Sequence, residues 1–306
     1  MEENREKEFV KIIELNKLRK ILSSCHLNFL FGAGVNGDLF PQMLGFKKTN
    51  LELKKVTSKL RKNYNFESEL SQLNEDDRHN VLQVFVDEFN DLNKKIDIKK
   101  ESYTNITMLF NSTFKMLEST ENTIESMSKV NVFTFNYDSI VEEIVENEGY
   151  FVNVIKPSNL KSLKHHNVIV RNFETLRYIP SFVVSKLHGS IEKEVLTMEN
   201  TILPGVEKYN HALNKDSFEL LFKMKSELLK QNSVLLVIGY SWNDDHVNQI
   251  LKDCVKSNLK IIWFKYDKKE KAHPEFEGNI IEIPVIEKKQ DTTLTCSELF
   301  EVVTNV

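Results

Sequence analysis

Four short stretches carry the residues able to do chemistry, and each follows an apolar run. Leu27-Asn28-Phe29-Leu30-Phe31 stops at Gly32-Ala33-Gly34-Val35-Asn36-Gly37, whose glycines have the G-x-G-x-x-G spacing. Val132-Phe133-Thr134-Phe135 runs into Asn136-Tyr137-Asp138, and Val184-Ser185-Lys186-Leu187 into His188-Gly189-Ser190. Leu235-Leu236-Val237-Ile238 runs into Gly239-Tyr240-Ser241-Trp242-Asn243-Asp244. A glycine turn after a buried strand leaves backbone N–H groups free to face a diphosphate at the start of the next helix. Glycine is also a common way to end a strand, so the spacing alone leaves both readings open. Ligands of open α/β sheets sit beyond the carboxyl ends of the strands. Four such ends carrying glycine, amide, imidazole, carboxylate and hydroxyl groups are more specific than any one of them.

The elements that must position these groups follow from periodicity. Phe9, Ile12, Ile13, Leu15, Leu18 and Leu22 predict a helix over residues 3–24. Pro41 and Gly45 make any helix after the glycines short or late. Residues 51–127 hold no proline or glycine and show stripes at i, i+3, i+4: Val81, Leu82, Val84, Phe85, Phe89, Leu92, then Ile106, Leu109, Phe110, Phe114, Leu117. Three or four helices are expected there, with their aromatic stripes facing a core.

From Val130 strands and helices alternate. Strands are expected at 130–135, 151–155, 181–188, 234–239, 259–264 and 279–285, and helices at 138–148, 216–231, 244–256 and 292–303, with 156–180 irregular. The fold class is α/β: a mostly parallel sheet with helices on both faces and an inserted helical module. The division is 1–50 with 128–306 as the core, and 51–127 as the inserted helical subdomain.

The composition is 41% hydrophobic and 28% charged, with net charge −4 and a pI near 6.1. No basic excess draws the chain to nucleic acid or a membrane surface, and no apolar run reaches the roughly 20 residues needed to span a bilayer. The polar start, Met1-Glu2-Glu3-Asn4-Arg5, has no secretory apolar region behind it. Cys25, Cys254 and Cys296 are three, far apart and without C-x-x-C, so neither disulfides nor structural zinc are expected and a reducing cytoplasm fits.

Gly32-Ala33-Gly34-Val35, Thr134-Phe135-Asn136-Tyr137-Asp138, Leu187-His188-Gly189-Ser190 and Gly239-Tyr240-Ser241 resemble the sirtuin superfamily in order and rough spacing. They look most like its sirtuin-like NADase branch of bacterial antiphage defence, over residues 25–265. The resemblance implies a Rossmann-like NAD-binding core, catalytic Asn136 and His188, and dinucleotide contacts from Gly32, Ala33, Gly34, Gly239 and Ser241. Asn36, where that family often has Ser, joins the expected binding set. Protein-deacylating sirtuins carry two C-x-x-C pairs and a Pro-Asp-Phe-Arg stretch; here there is no pair, and Gly37-Asp38-Leu39-Phe40-Pro41 stands in that region. Those departures count against lysine deacylation and leave NAD+ cleavage less affected. By the same analogy, NAD+ is a substrate rather than a resident cofactor, no metal is expected, and control comes from a homo-oligomer or from a translocase-type ATPase partner.

In such chemistry His188 serves as a base near neutrality and Asn136 orients a ribose hydroxyl and the attacking water. Asp138 binds the nicotinamide amide, supports the ribose, or caps the helix that begins there. His188 also has a purely structural reading, and Ser241 a plain turn one. Ser190 is expected to bond backbone and Tyr137 to pack. Asp244-Asp245-His246 is read as a helix start and not as a metal cluster, and His165-His166 is assigned nothing. Three competing readings stand beside an NAD+ glycohydrolase. A dehydrogenase needs an acid ending a second strand, and Glu52, near the right distance, opens a helical segment instead. A non-catalytic NAD or ADP-ribose module needs only the binding residues. A nuclease lacks clustered carboxylates.

Overall fold

The computed structural model describes residues 15–22, 24–37, 39–57, 66–96, 101–119, 129–148, 151–155, 181–188, 215–271, 274–276, 279–283, 285 and 291–305. Seven strands form one sheet: β1 (His26–Phe31), β2 (Lys129–Thr134), β3 (Phe151–Ile155), β4 (Ser181–Lys186), β5 (Ser233–Ile238), β6 (Lys260–Phe264) and β7 (Ile280–Ile283). Their order is β3-β4-β2-β1-β5-β6-β7, and every neighbouring pair is parallel. This is the expected Rossmann-like architecture. The chain leaves β1 toward β2 on one side and returns to β5 on the other. The topological switch point, where ligands of such sheets bind, therefore lies between β1 and β5.

The helices are α1 (Leu15–Leu22), α2 (Lys47–Val56), α3 (Phe66–Ser71), α4 (Glu75–Asn93), α5 (Glu101–Ser119), α6 (Ile140–Asn147), α7 (Lys215–Leu228), α8 (Asp245–Lys256) and α9 (Thr292–Asn305). Side chains alternate across each strand, so two cores form. Leu27, Phe29 and Phe31 of β1 pack with Val132, Val184 and Leu236 against the layer that contains α1 to α6 and α9. Leu30, Phe133, Val183, Leu235 and Val237 face α7 and α8. The aromatic stripes between β1 and β2 point inward as expected. Phe110 of α5 meets Phe182 of β4 edge-on at 4.9 Å, and Phe46, Phe85 and Phe89 form one cluster. Glu88 of α4 is buried and accepts the Lys48 and Thr49 amides at 2.9 and 2.7 Å, capping α2 from outside its own sequence. Of the long helix expected over 3–24, α1 supplies the last part; Phe9, Ile12 and Ile13 lie outside the described residues, as do 156–180, His165 and His166.

At the N-terminal end of the sheet, away from the switch point, polar groups are tied under α7. Asn28 Nδ2 donates to Ser233 Oγ at 2.9 Å, and Asn131 Nδ2 to Asn28 Oδ1 at 2.8 Å and Glu227 Oε2 at 3.2 Å. Glu227 also takes Lys129 at 2.8 Å and Lys230 at 2.6 Å. Burial alone would raise the Glu227 carboxyl, but its bonds to Lys129 and Lys230 outweigh that and hold it at about 2. A folded-state value below the unfolded one means the stabilisation is fully present above the unfolded value and is lost as pH falls through the folded one. Wild type should therefore lose this contribution between about pH 4.5 and about pH 2. Glu227→Gln should be less stable by about 1–3 kcal/mol at pH 7, with the gap closing in that acid window. Urea titrations of both proteins across pH check it; a gap that stays constant with pH would exclude the ionised carboxylate as its source.

Candidate active site

The four strand ends singled out above are those of β4, β2, β1 and β5, neighbours in the sheet. β1 runs into a 3-10 turn, Ala33–Asn36, and the next α-helix among the described residues, α2, begins at Lys47. Four amides of the turn already have main-chain partners. Gly32 donates to Ile238 O, Gly34 to Gly239 O, Val35 to Gly32 O and Gly37 to Gly34 O, at 3.0 to 3.2 Å. Two of these four amides tie the turn to the β5 end and two close the turn itself. The glycines instead permit contact between two main chains: a Cβ on Gly32 would lie 2.3 Å from Gly239 O, and one on Gly239 2.4 Å from Val35 N. The β1 and β5 ends thus touch backbone to backbone at the switch point, and Ala33 is the exposed residue of the turn.

Asn36 ends this turn and is buried, its Nδ2 donating to Asp138 Oδ2 at 2.7 Å. Asp138 Oδ1 accepts the Ile140 amide at 3.1 Å at the start of α6. The carboxylate therefore both caps a helix and holds Asn36. Asn136 is buried and its amide donates to Thr134 Oγ1 at 3.1 Å. Two of its neighbourhood's polar atoms, Asn36 Oδ1 and Asn136 Nδ2, are buried without a hydrogen-bond partner among the described residues. This leaves one acceptor and one donor available to a polar group entering from outside the described residues.

His188 follows β4 and is only 4% exposed. Its ring lies 4.8 Å from Phe135 and stacks on His246, at 5.8 Å and 28°. Phe135 stacks in turn on Tyr240 at 5.5 Å, which links the β4, β2 and β5 ends. Burial, with Asp244 nearby, pushes the Tyr240 phenol up, so it stays protonated; its Oη donates to Asn248 Oδ1 at 3.1 Å. Tyr137 packs as expected, against Phe85 and Phe89 of α4. Ser241 is exposed and its Oγ accepts from Asn243 Nδ2 at 3.2 Å, so the structure gives it no tie to Asn36, Asp138 or His188 among the described contacts. Asp244 takes the N-cap position of α8, its carbonyl accepting the Val247 and Asn248 amides. Gly189 and Ser190 lie outside the described residues.

The family model of the SIR2-like domain matches residues 130–283, half of the chain. The chain belongs to the SIR2-like domain family. Among solved structures, one described as bearing on the mechanism and regulation of Sir2 enzymes aligns over 95% of this chain and 97% of its own, at 14% identity and TM-score 0.51, which shows a shared fold. A Sir2 homologue–NAD complex aligns over 95% and 94%, at 16% identity and TM-score 0.48. No curated protein matches the chain. In this SIR2-like chain no helix among the described residues is long and apolar enough to cross a membrane, and no three His, Cys, Asp or Glu side chains among them converge to hold a metal ion. Burial pushes the Cys25 thiol to about 12 and Cys254 to about 11, and raises Cys296, so none offers a thiolate nucleophile. Glu52 lies on α2 and pairs with Lys55 at 2.6 Å, not at the end of a strand, and among the described residues the strand after β1 begins at Lys129.

Sequence reasoning missed three residues. His246 was read only as part of a helix start, although an imidazole just inside the helix after β5 is the signal for its stack on His188. Lys186 and Glu142 went unremarked. A lysine closing an apolar strand, and a glutamate one helical turn after Asp138, were the visible clues.

Proposed function

We propose that this chain is an NAD+ glycohydrolase that releases nicotinamide and ADP-ribose. The observation that carries the reading is the pair of buried polar atoms without a hydrogen-bond partner among the described residues, Asn36 Oδ1 and Asn136 Nδ2, after the neighbouring strands β1 and β2 of a SIR2-like sheet, with His188 after the adjoining β4. The bond between the pyridinium nitrogen and ribose C1′ breaks with its electron pair going to nitrogen, so the leaving group needs no proton. Catalysis then consists of positioning the sugar and stabilising an oxocarbenium-like state. Asn136 orients a ribose hydroxyl and the attacking water, and His188 takes the proton that the water or hydroxyl loses. Asn36 and Asp138 form one hydrogen-bonded wall of the site. The Gly32–Gly34 and Gly239 segments form its floor, where the dinucleotide lies, with Ala33 and Ser241 at its rim.

Within this reading the protein acts in the cytoplasm as an antiphage effector that depletes NAD+, under control of self-assembly or of a translocase-type ATPase. The exposed Phe218, Phe222 and Leu229 along and just after α7 support an assembly role. The test is to incubate the protein with NAD+, alone and with any genomic-neighbour protein, and to separate the products by chromatography. Nicotinamide and ADP-ribose are expected in equal amounts. Tight NAD+ binding without release in every state would make the chain a non-catalytic NAD or ADP-ribose module.

A further inference from the structure

We propose that Lys186 and Glu142 are positioning residues: they fix the main chain at Asp138, and through it the Asp138–Asn36 wall of the site. The inference rests on the reading of that site as the place where NAD+ is cut. Lys186 closes β4 and is 1% exposed; Glu142 lies in the first turn of α6 with its side chain 8% exposed. Lys186 Nζ meets Glu142 Oε1 at 2.9 Å and also donates to the Asp138 carbonyl oxygen. Asp138 passes the restraint on, its Oδ2 accepting from Asn36 at 2.7 Å and its Oδ1 from the Ile140 amide at 3.1 Å. One run of polar contacts therefore crosses the ends of β4, β2 and β1.

Stability does not account for this pair. Taking an ammonium and a carboxylate out of water costs several kcal/mol per ion, and apolar side chains of similar volume often fill such a space equally well or better. Burial pushes the Glu142 carboxyl up, and the Lys186 charge is the main influence drawing it back. Glu142 Oε2 has no hydrogen-bond partner among the described residues, so the carboxylate is only partly compensated. An apolar pair could not donate to the Asp138 carbonyl, which would then be a buried acceptor left unmatched. Lys186 also stands two residues before His188, on a segment pinned to β2 by the Leu187 amide to Thr134 O at 2.9 Å. The same side chain thus sets the Asp138 turn against the segment that carries the imidazole.

The experiment compares wild type with the apolar pair Lys186→Met plus Glu142→Met. Three quantities are measured: the thermal midpoint, hydrogen exchange at the Ile140 amide, and NAD+ turnover. The double variant should melt within a few degrees of wild type, while Ile140 exchanges about 10-fold faster and the β1 and β5 amides do not. Its kcat should fall about 100-fold with KM changing much less, the signature of a misplaced group. The neutral pair Lys186→Gln plus Glu142→Gln is measured in the same way and takes over if the apolar pair does not fold. A folded variant with wild-type Ile140 exchange and wild-type kcat would overturn the proposal. So would failure of both pairs to fold, which would assign the ion pair to stability. If wild type released no nicotinamide in any state, the function reading would fall, and the Ile140 comparison alone would still decide the positioning.

Discussion

His188→Ala is expected to reduce nicotinamide release by about 10²–10⁴-fold, the range for loss of a positioned general base. The argument starts from placement. The ring is almost fully buried at the end of β4, with Phe135 at 4.8 Å on one side and His246 stacked at 5.8 Å, so its plane is held by packing. Its strand end is a direct neighbour of β2, which ends in Asn136. Truncation removes the only imidazole among the four strand-end motifs without touching the Asn36–Asp138 bond or the glycine contact. NAD+ binding should therefore fall far less than kcat. Removing interactions made only in the transition state lowers kcat and kcat/KM together, and that pattern is the one expected. Calorimetry with NAD+, circular dichroism and product chromatography on the same preparation separate binding, folding and chemistry. Equal NAD+ consumption by His188→Ala and an active wild type would remove His188 from catalysis and leave it the structural role that its packing already supports.

Much of the scaffold was legible because it depends on local signals. The strand ends expected at Phe31, Phe135, His188 and Gly239 fall within two residues of those observed, because apolar runs are stopped there by polar or glycine residues. The stripes of α4 and α5 follow from the 3.6-residue period. The parallel sheet followed from strands alternating with helices. What the sequence did not disclose is set by which strand lies beside which. The insertion of β4 between β2 and β3 leaves no mark on a linear chain. It is that insertion which brings Lys186 over Glu142 and Asp138, and His188 against Phe135. The glycine turn shows the same limit from another side. Its spacing is that of a diphosphate cradle, yet its amides close the turn and bond to β5, because a partner 205 residues away in the chain approaches within backbone contact. Residue type announced a close approach; only the fold says what approaches.

That contact carries the second large effect, because three glycines separate its two causes. Gly239 has φ +64, and a Cβ there would lie 2.4 Å from Val35 N and 2.5 Å from Gly34 C, both backbone atoms that cannot swing away. Gly32 has ordinary extended backbone at φ −97, but its Cβ would meet Gly239 O at 2.3 Å. Gly37 has φ +53 and nothing within 4 Å of an added Cβ. Gly37→Ala therefore costs only the left-handed conformation, about 1–3 kcal/mol. Gly32→Ala costs only the clash, about 1–3 kcal/mol or more if the strands part. Gly239→Ala suffers both, and the Gly34 to Gly239 bond at 3.1 Å goes with it, so a loss of about 3–6 kcal/mol or outright failure to fold is expected. Urea midpoints should rank Gly239→Ala well below the other two. NAD+ affinity, measured where each variant is still folded, should fall for Gly32→Ala but not for Gly37→Ala, since only the former pushes β1 from β5 at the switch point. A wild-type midpoint for Gly32→Ala, with Gly37→Ala and Gly239→Ala lowered equally, would mean that conformation alone is at stake. In that case the backbone contact between β1 and β5 would no longer explain why both turns carry glycine.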